Sequence, residues 1–282
     1  MLILACLPIG DARDASAHLI EAIAQVEYVA AEDSRKFARL CQELNIKHHA
    51  KVISFFEGNE SEKIDELTNI LKSQKNILVA TDAGAPGISD PGYRLIRAAL
   101  QADVKIKVLP GPSAVTTALL LSGLPTDRFC FEGFLSSKSA GRRQRLSLLA
   151  REKRTLVFYE APHRLLASIE DMSEIFGPER EASLCRELTK TFETIWTGPL
   201  SQLAAFVGAD TNQQRGEAVI LVAGEASASK QDSLSQDDEH LLEILVAELP
   251  LKKASVLAAK YTGKAKQAFY QYGLSLSGDD AG

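Results

Sequence analysis

Cysteine is scarce and scattered in this chain. Four residues (Cys6, Cys41, Cys130 and Cys185) are spread over 282, with no Cys-x-x-Cys pair. Disulfide frameworks and structural zinc sites draw on closely grouped ligands, so neither is expected. Of the five histidines only His48 and His49 are neighbours, which adds no metal cluster. The expectation is four structural thiols in a reducing cytoplasm, and no metal. No apolar run approaches the roughly 20 residues that span a bilayer, so no membrane segment is expected. Residues 1–7 lack a basic start and lead straight into Pro8-Ile-Gly10, reading as a first strand rather than a secretion signal. Neither Gly-x-Gly-x-x-Gly nor a Walker-type Gly/Lys loop occurs, which counts against a standard dinucleotide fold and a P-loop. Self-similarity at a fixed period is absent too, so no repeat architecture is expected.

What is present is ordinary in amount: 45% apolar and 24% charged residues, in a chain long enough for two cores. Strand-like runs at 1–7, 28–31, 52–56, 77–80 and 105–109 alternate with helix-like segments at 15–25, 36–44, 62–71 and 93–100. That alternation predicts an α/β domain around a mainly parallel sheet. A strongly apolar helix at 113–121 is expected to be buried between two halves. A second series of strands follows at 129–134, 155–159, 182–184, 191–196 and 218–222. The reading is an N-terminal α/β domain over 1–112, a second over 113–225, and a Ser/Asp/Gln-rich linker over 226–238. A helical tail over 239–274, with helices at 240–249, 251–261 and 264–272, and a disordered end over 275–282 complete it.

Three Gly/Pro loops follow strands that the pattern makes parallel: Leu7-Pro-Ile-Gly-Asp11, Thr81-Asp-Ala-Gly-Ala-Pro-Gly-Ile-Ser-Asp-Pro-Gly92 and Leu109-Pro-Gly-Pro-Ser-Ala114. The second cannot be helix or strand interior, because Pro fixes and Gly frees its backbone angles. A structural turn and a loop whose backbone holds a ligand both fit it. Open α/β sheets bind ligands at the carboxyl ends of their strands, so three such loops on one sheet edge favour the ligand-holding reading.

Charge is unevenly placed. Residues 138–154 carry seven basic side chains against the single acid Glu152, and residues 250–273 carry five lysines and no acid, within a chain of net charge −5. A solvated surface and a polyanion site both account for such runs.

These segments resemble the tetrapyrrole methylase family of S-adenosylmethionine enzymes, nearly end to end. The closest branch methylates a cytidine ribose 2′-oxygen in 16S ribosomal RNA. The residues that carry the resemblance are Pro8-Ile-Gly10, Ala31-Glu-Asp-Ser-Arg35, Asn59-Glu60, Asp82-Ala-Gly84 with Pro86, Ser89-Asp-Pro-Gly92, Pro110-Gly-Pro-Ser113, Gly123-Leu-Pro125 and Asp127-Arg-Phe129. They continue through Glu132-Gly-Phe-Leu135, Phe158-Tyr-Glu-Ala-Pro-His-Arg164, Arg186-Glu-Leu-Thr-Lys190, Gly216-Glu217 and Leu249-Pro-Leu-Lys-Lys253. There are two departures. Asp11 stands where the branch more often has Asn, and Phe55-Phe-Glu-Gly58 replaces a His-containing stretch, so no histidine is read as catalytic there.

The resemblance implies two α/β domains with the cofactor between them, a homodimer, and 16S rRNA or the 30S subunit as partner. It implies that S-adenosylmethionine is surrounded by Pro8 and Gly10, by Asp82, Ala83, Gly84, Pro86 and Ile88, by Gly111, Ser113 and Ala114, and by Glu217 and Ala218. An activated methyl needs mainly alignment, whereas a ribose hydroxyl needs a base or a cation. The family's blocks supply the candidates Glu32, Asp33, Arg35, Asp90, Arg128, Glu132, Glu160, His163, Arg164, Glu187 and Lys190. Glu160 is the first choice for the proton and Lys190 the second, with Arg164 and Glu132 beside them. Strand-end and helix-start ion pairs account for the same residues.

For RNA, Lys138, Arg142, Arg143 and Arg145 are read as phosphate-gripping residues in a flexible Ser/Gly segment. Lys252 and Lys253, with Lys260, Lys264 and Lys266, are read as a second basic surface. Tyr261, Phe269, Tyr270 and Tyr272 suit a small helical core better than a stacking platform. The rivals are a porphyrin or corrin methylase of the same fold and a non-catalytic RNA-binding protein.

Overall fold

Five short strands, β1 (Leu2–Ala5), β2 (Tyr28–Ala31), β3 (Lys51–Ser54), β4 (Ile77–Ala80) and β5 (Ile106–Leu109), pair in parallel in the order β3-β2-β4-β1-β5. In this computed structural model β1 and β4 are apolar at every position and buried on both faces, as the centre of a helix-covered parallel sheet requires. The structure describes residues 1–225 and 234–278, and the chain divides into two units, 1–224 and 225–282.

Helices α1 (Ala17–Gln25) and α2 (Ser34–Glu43) cover one face of this sheet with Leu19, Ile23, Phe37 and Cys41. Helices α3 (Glu60–Lys72) and α4 (Tyr93–Gln101) cover the other with Leu67, Leu71, Leu95 and Ala99. Their starts are fixed locally. Ser16 Oγ accepts from the Leu19 N–H at 3.1 Å and Asp33 accepts from the Arg35 N–H at 2.8 Å, satisfying donors that a first helical turn leaves open.

The second sheet is mixed. Strands β6 (Phe129–Phe134), β7 (Thr155–Glu160), β8 (Glu181–Arg186), β9 (Thr194–Pro199) and β10 (Ala218–Val222) run in the order β6-β7-β10-β8-β9, and only β6 with β7 is parallel. One face packs on α6 (Ser139–Leu149), α7 (Leu165–Phe176) and α8 (Leu200–Ala209) through Leu146, Ile169, Met172 and Leu203. The other packs on α5 (Ala114–Ser122) through Val115, Ala118 and Leu119, together with Ile9 and Leu188. The helix expected to be buried between two halves buries one stripe, while Leu120 is 82% exposed. Helices α7 and α8 lie in stretches for which no element was expected. Residues expected to be flexible around 138–145 form α6 instead.

In the second unit α9 (Gln236–Glu248), α10 (Leu251–Thr262) and α11 (Lys266–Gly278) close on Leu242, Ala254, Ala258 and Phe269. Helix α9 begins inside the stretch read as linker. Ser235 and Asp238 form a reciprocal capping box that starts it. Helix α11 runs past 274, while 226–233 and 279–282 lie outside the described residues. Phe269 is core and Tyr272 donates to Glu243 at 2.9 Å, but Tyr261 is 84% exposed. No described helix is long and apolar enough to cross a membrane, and no described group of three His, Cys, Asp or Glu is placed to hold a metal.

Candidate functional site

Because β4, β1 and β5 are neighbours in a parallel sheet, the three Gly/Pro loops leave it side by side. The Leu7 N–H donates to Gly84 O at 2.8 Å and the Gly84 N–H donates back to Leu7 O at 3.1 Å, joining the first two loops. At Gly111 a Cβ would lie 2.8 Å from Cys6 O, so glycine is what lets the third loop close on the first.

A cleft of about 370 Å³ opens at this edge, within residues 1–224, and is lined from both sheets. Asp82, Ala83, Gly84, Ile88, Ser113 and Ala114 line it from the loops, and Glu160, Glu217 and Ala218 from the second sheet. Four residues expected around the cofactor do not face it. Pro8 and Pro86 are buried and stand outside its lining. Gly111 packs on Cys6, and a Cβ on Gly10 would sit 2.6 Å from Leu188 O. Gly10 therefore lets the first loop approach the 188–190 turn closely, and Ile9 between Pro8 and Gly10 lines the cleft.

One wall is acidic. Glu32, Asp82, Asp90 and Glu217 share it with a single lysine, Lys36. Lys36 Nζ pairs with Asp82 Oδ2 at 2.6 Å, and the Asp82 N–H donates to Glu32 Oε2 at 3.0 Å. Asp82 Oδ1 is buried without a hydrogen-bond partner among the described residues, an open acceptor of the kind that buried polar groups seldom leave. Burial pushes the Asp90 carboxyl up to about 7, reinforced by the charges of Glu32, Asp82 and Glu217. Burial also raises Glu32, outweighing the Asp82 N–H that it accepts. The apolar part of the lining is built from Ile9, Leu188, Tyr159 and the 56%-exposed Phe134. Tyr159 meets Phe131 and Phe134 edge-on, with centroids 4.9 and 5.5 Å apart. Its phenol is pushed up to about 12 by burial and by the charges of Asp90 and Glu217.

The candidates for proton transfer are differently placed. Glu160 lines the cleft but is 2% exposed, and both oxygens are occupied. It accepts from the Ala161 N–H at 2.7 Å, Arg164 Nε at 2.9 Å and Ser168 Oγ at 2.5 Å. Arg164 is spent on that pair. Lys190 Nζ, outside the lining, pairs with Glu187 at 2.9 Å and Glu217 at 3.0 Å. Residues 186–190 are not a helix start but a strand end and a turn, with Glu187 and Thr189 at φ of 51° and 61°. Glu132, also outside the lining, accepts from Arg145 at 2.6 Å.

The basic run of α6 needs correcting. The Arg142 side chain is 6% exposed and pairs with Asp171 at 2.6 Å. Arg143 bridges Asp171 and Glu174, and Arg145 holds Glu132. Carboxylates of the same unit neutralise all three arginines, leaving Lys138 as the exposed basic residue at the N-cap. On α10, by contrast, Lys252, Lys253 and Lys260 are exposed and no ion pair engages them among the described residues. Lys264 pairs with Asp238.

Residues 1–204 match the family model for Tetrapyrrole (Corrin/Porphyrin) Methylases, and residues 232–277 match that for the RsmI C-terminal HTH domain. The Ribosomal RNA small subunit methyltransferase I of Pseudomonas aeruginosa is 45% identical over 277 residues, 98% of either chain. Its counterpart in Escherichia coli O157:H7 is 44% identical over 271 residues, 96% of this chain and 93% of its own. Among solved structures, the methyltransferase CobJ superposes with a TM-score of 0.60 at 20% identity, over 80% of this chain and 94% of its own. A uroporphyrin-III C-methyl transferase from Thermus thermophilus, complexed with S-adenosylhomocysteine, gives 0.54 at 18% identity, over 79% and 96%. At such identities the solved structures speak to the fold alone.

Proposed function

The chain belongs to the tetrapyrrole (corrin/porphyrin) methylase family, and on that premise we propose that it transfers a methyl group from S-adenosylmethionine to the 2′-oxygen of a cytidine ribose in 16S ribosomal RNA. The observation that carries this reading is the near full-length identity with small-subunit ribosomal RNA methyltransferases. That match extends across the helical tail, beyond the region that the methylase model covers.

The cleft suits the donor. Adenine and ribose are accommodated by the apolar part of the lining and the polar loops, and the ammonium and sulfonium charges by its acidic residues. The unpartnered Asp82 Oδ1 offers an acceptor to an ammonium or a ribose hydroxyl. Asp82, Ala83, Gly84, Ile88, Ser113, Ala114, Glu217 and Ala218 are the residues proposed to hold it. When bound, S-adenosylmethionine supplies a methyl whose S–C bond breaks as the acceptor oxygen forms its C–O bond. The homodimer belongs to the same proposal, and the exposed Leu120 of α5 is the kind of apolar side chain that a partner copy covers.

The RNA-facing surface is assigned to α10. Lys253, Leu257, Lys260 and Tyr261 recur at helical spacing and are all exposed, giving a basic stripe with an aromatic end. Replacing Lys252 and Lys253 by Ala is expected to weaken binding to 16S RNA. It should also flatten the slope of log affinity against log salt by roughly 0.7–0.9 per lysine. Affinity unchanged from low to high salt would make these lysines plain surface.

Incubation with methyl-labelled S-adenosylmethionine and either 30S subunits or uroporphyrinogen tests the reaction itself. Label is expected in the subunit RNA. Label in the porphyrin alone would establish the small-molecule rival, and label in neither would leave a non-catalytic binding protein.

A further inference from the structure

With Glu160 saturated by three donors and Lys190 held between two carboxylates, neither group that the sequence favours is available to take the acceptor's proton. One carboxylate in the cleft is differently situated. Asp90 lines the cavity, and no hydrogen bond or ion pair engages its side chain among the described residues.

Its place is set by an over-determined loop. Ser89 holds the left-handed conformation at φ 64°, unusual for a residue with a side chain, and Pro91 fixes the next backbone angle. The Gly87 N–H donates to Pro91 O at 3.2 Å and closes the loop on itself. The Gly92 N–H donates to the buried Glu60 carboxylate at 3.1 Å and ties the loop to the first turn of α3. On the far side, a Cβ on Gly133 of β6 would lie 3.3 Å from Ser89 Oγ, so the loop seats closely against the second sheet. Strained backbone held from several directions is what presents a functional side chain at a fixed position.

We propose that Asp90 is the general base of the reaction, accepting on a carboxylate oxygen the proton of the ribose 2′-hydroxyl, an inference that rests on the function proposed above. A lone pair of the hydroxyl oxygen forms the new O–C bond while the S–C pair stays on sulfur. The O–H pair stays on what becomes the ether oxygen, and the proton moves to Asp90 and on to water. The groups facing Asp90 are Glu32 beyond β2, Asp82 beyond β4, Glu217 before β10, Tyr159 and Glu160 of β7, and Lys36 of α2. Among these Lys36 is engaged with Asp82 and Glu160 with its three donors, so burial and the remaining negative charges act on Asp90 unopposed. A base whose carboxyl is pushed up to about 7 is stronger than an ordinary carboxylate and still ionised in half its copies at that pH.

Single-turnover methyl transfer to 30S subunits by the full chain tests the assignment, alongside calorimetric affinity for S-adenosylmethionine. The wild-type rate is expected to rise with pH and then level off, because the ionised form is the active one. Asp90→Asn should lower the rate at saturating S-adenosylmethionine by on the order of 100- to 10,000-fold and lose the inflection, a loss that any change in cofactor affinity does not account for. Asp90→Glu should restore part of the rate together with a shifted inflection, and it serves as the test should the Asn variant fail to fold. Difference infrared titration of the cofactor-free protein should show a carboxyl band disappearing around pH 7 that Asp90→Asn lacks. An Asn variant with the wild-type rate or pH profile, or one whose slow rate follows lost cofactor affinity, would overturn the role of Asp90. A wild-type protein inert toward 30S subunits would instead overturn the reading of function.

Discussion

Gly84→Val is expected to abolish S-adenosylmethionine binding and leave the chain folded. Gly84 sits at φ +66°, where a valine costs on the order of 1–3 kcal/mol, within the 5–15 kcal/mol that typically holds a protein together. Among the described residues a Cβ there has one neighbour within 4 Å, Ile9 Cγ2 at 3.8 Å. Its bulk goes into the cleft that Gly84 and Ile9 both line, beside the open Asp82 acceptor. An affinity loss of about 100-fold or more, roughly 3 kcal/mol, should appear in calorimetry while the thermal melt stays cooperative. Unchanged affinity would reduce the 81–92 loop to a structural turn.

Asp171→Ala is expected to destabilise residues 1–224 severely. It removes the carboxylate that pairs with the buried Arg142 and also reaches Arg143. Removing one partner of a buried pair leaves an uncompensated charge and costs about 3–5 kcal/mol, which urea denaturation would resolve. Adding Arg142→Met should recover part of the loss, since the pair is then replaced by apolar packing. A single-variant loss below about 1 kcal/mol, as for exposed pairs, would show that Arg142 can turn to water. The α6 arginines would then be open to a polyanion after all.

The Arg142–Asp171 pair also marks where the sequence stops informing. The strands and their Gly/Pro loops are legible because their signals are local: β4 is four apolar residues, and the segment behind it can only be a loop. The cleft follows from strand order, and eight of the twelve residues expected around the cofactor line it: Asp82, Ala83, Gly84, Ile88, Ser113, Ala114, Glu217 and Ala218. Gly10 and Gly111 were legible as members of Gly/Pro loops, but their approaches to the 188–190 turn and to Cys6 were not, because those partners are distant in the chain. The arginines of α6 read as phosphate ligands for the same reason. Asp171 lies 29 residues beyond Arg142, and only the packing of α7 on α6 brings it back. Lys36 directly follows the Ala31-Glu-Asp-Ser-Arg35 block. Its position one residue beyond that block, on a helix leaving the carboxyl end of β2, was the available signal.

The reaction can be read most directly from the nucleoside that receives the methyl. After incubation of 30S subunits with methyl-labelled S-adenosylmethionine and the wild-type chain, the 16S RNA is digested to nucleosides and separated by chromatography with mass detection. The account predicts label in 2′-O-methylcytidine, lost with Gly84→Val. Label in a base-methylated nucleoside, or none in the RNA while the porphyrin acceptor is methylated, would contradict it.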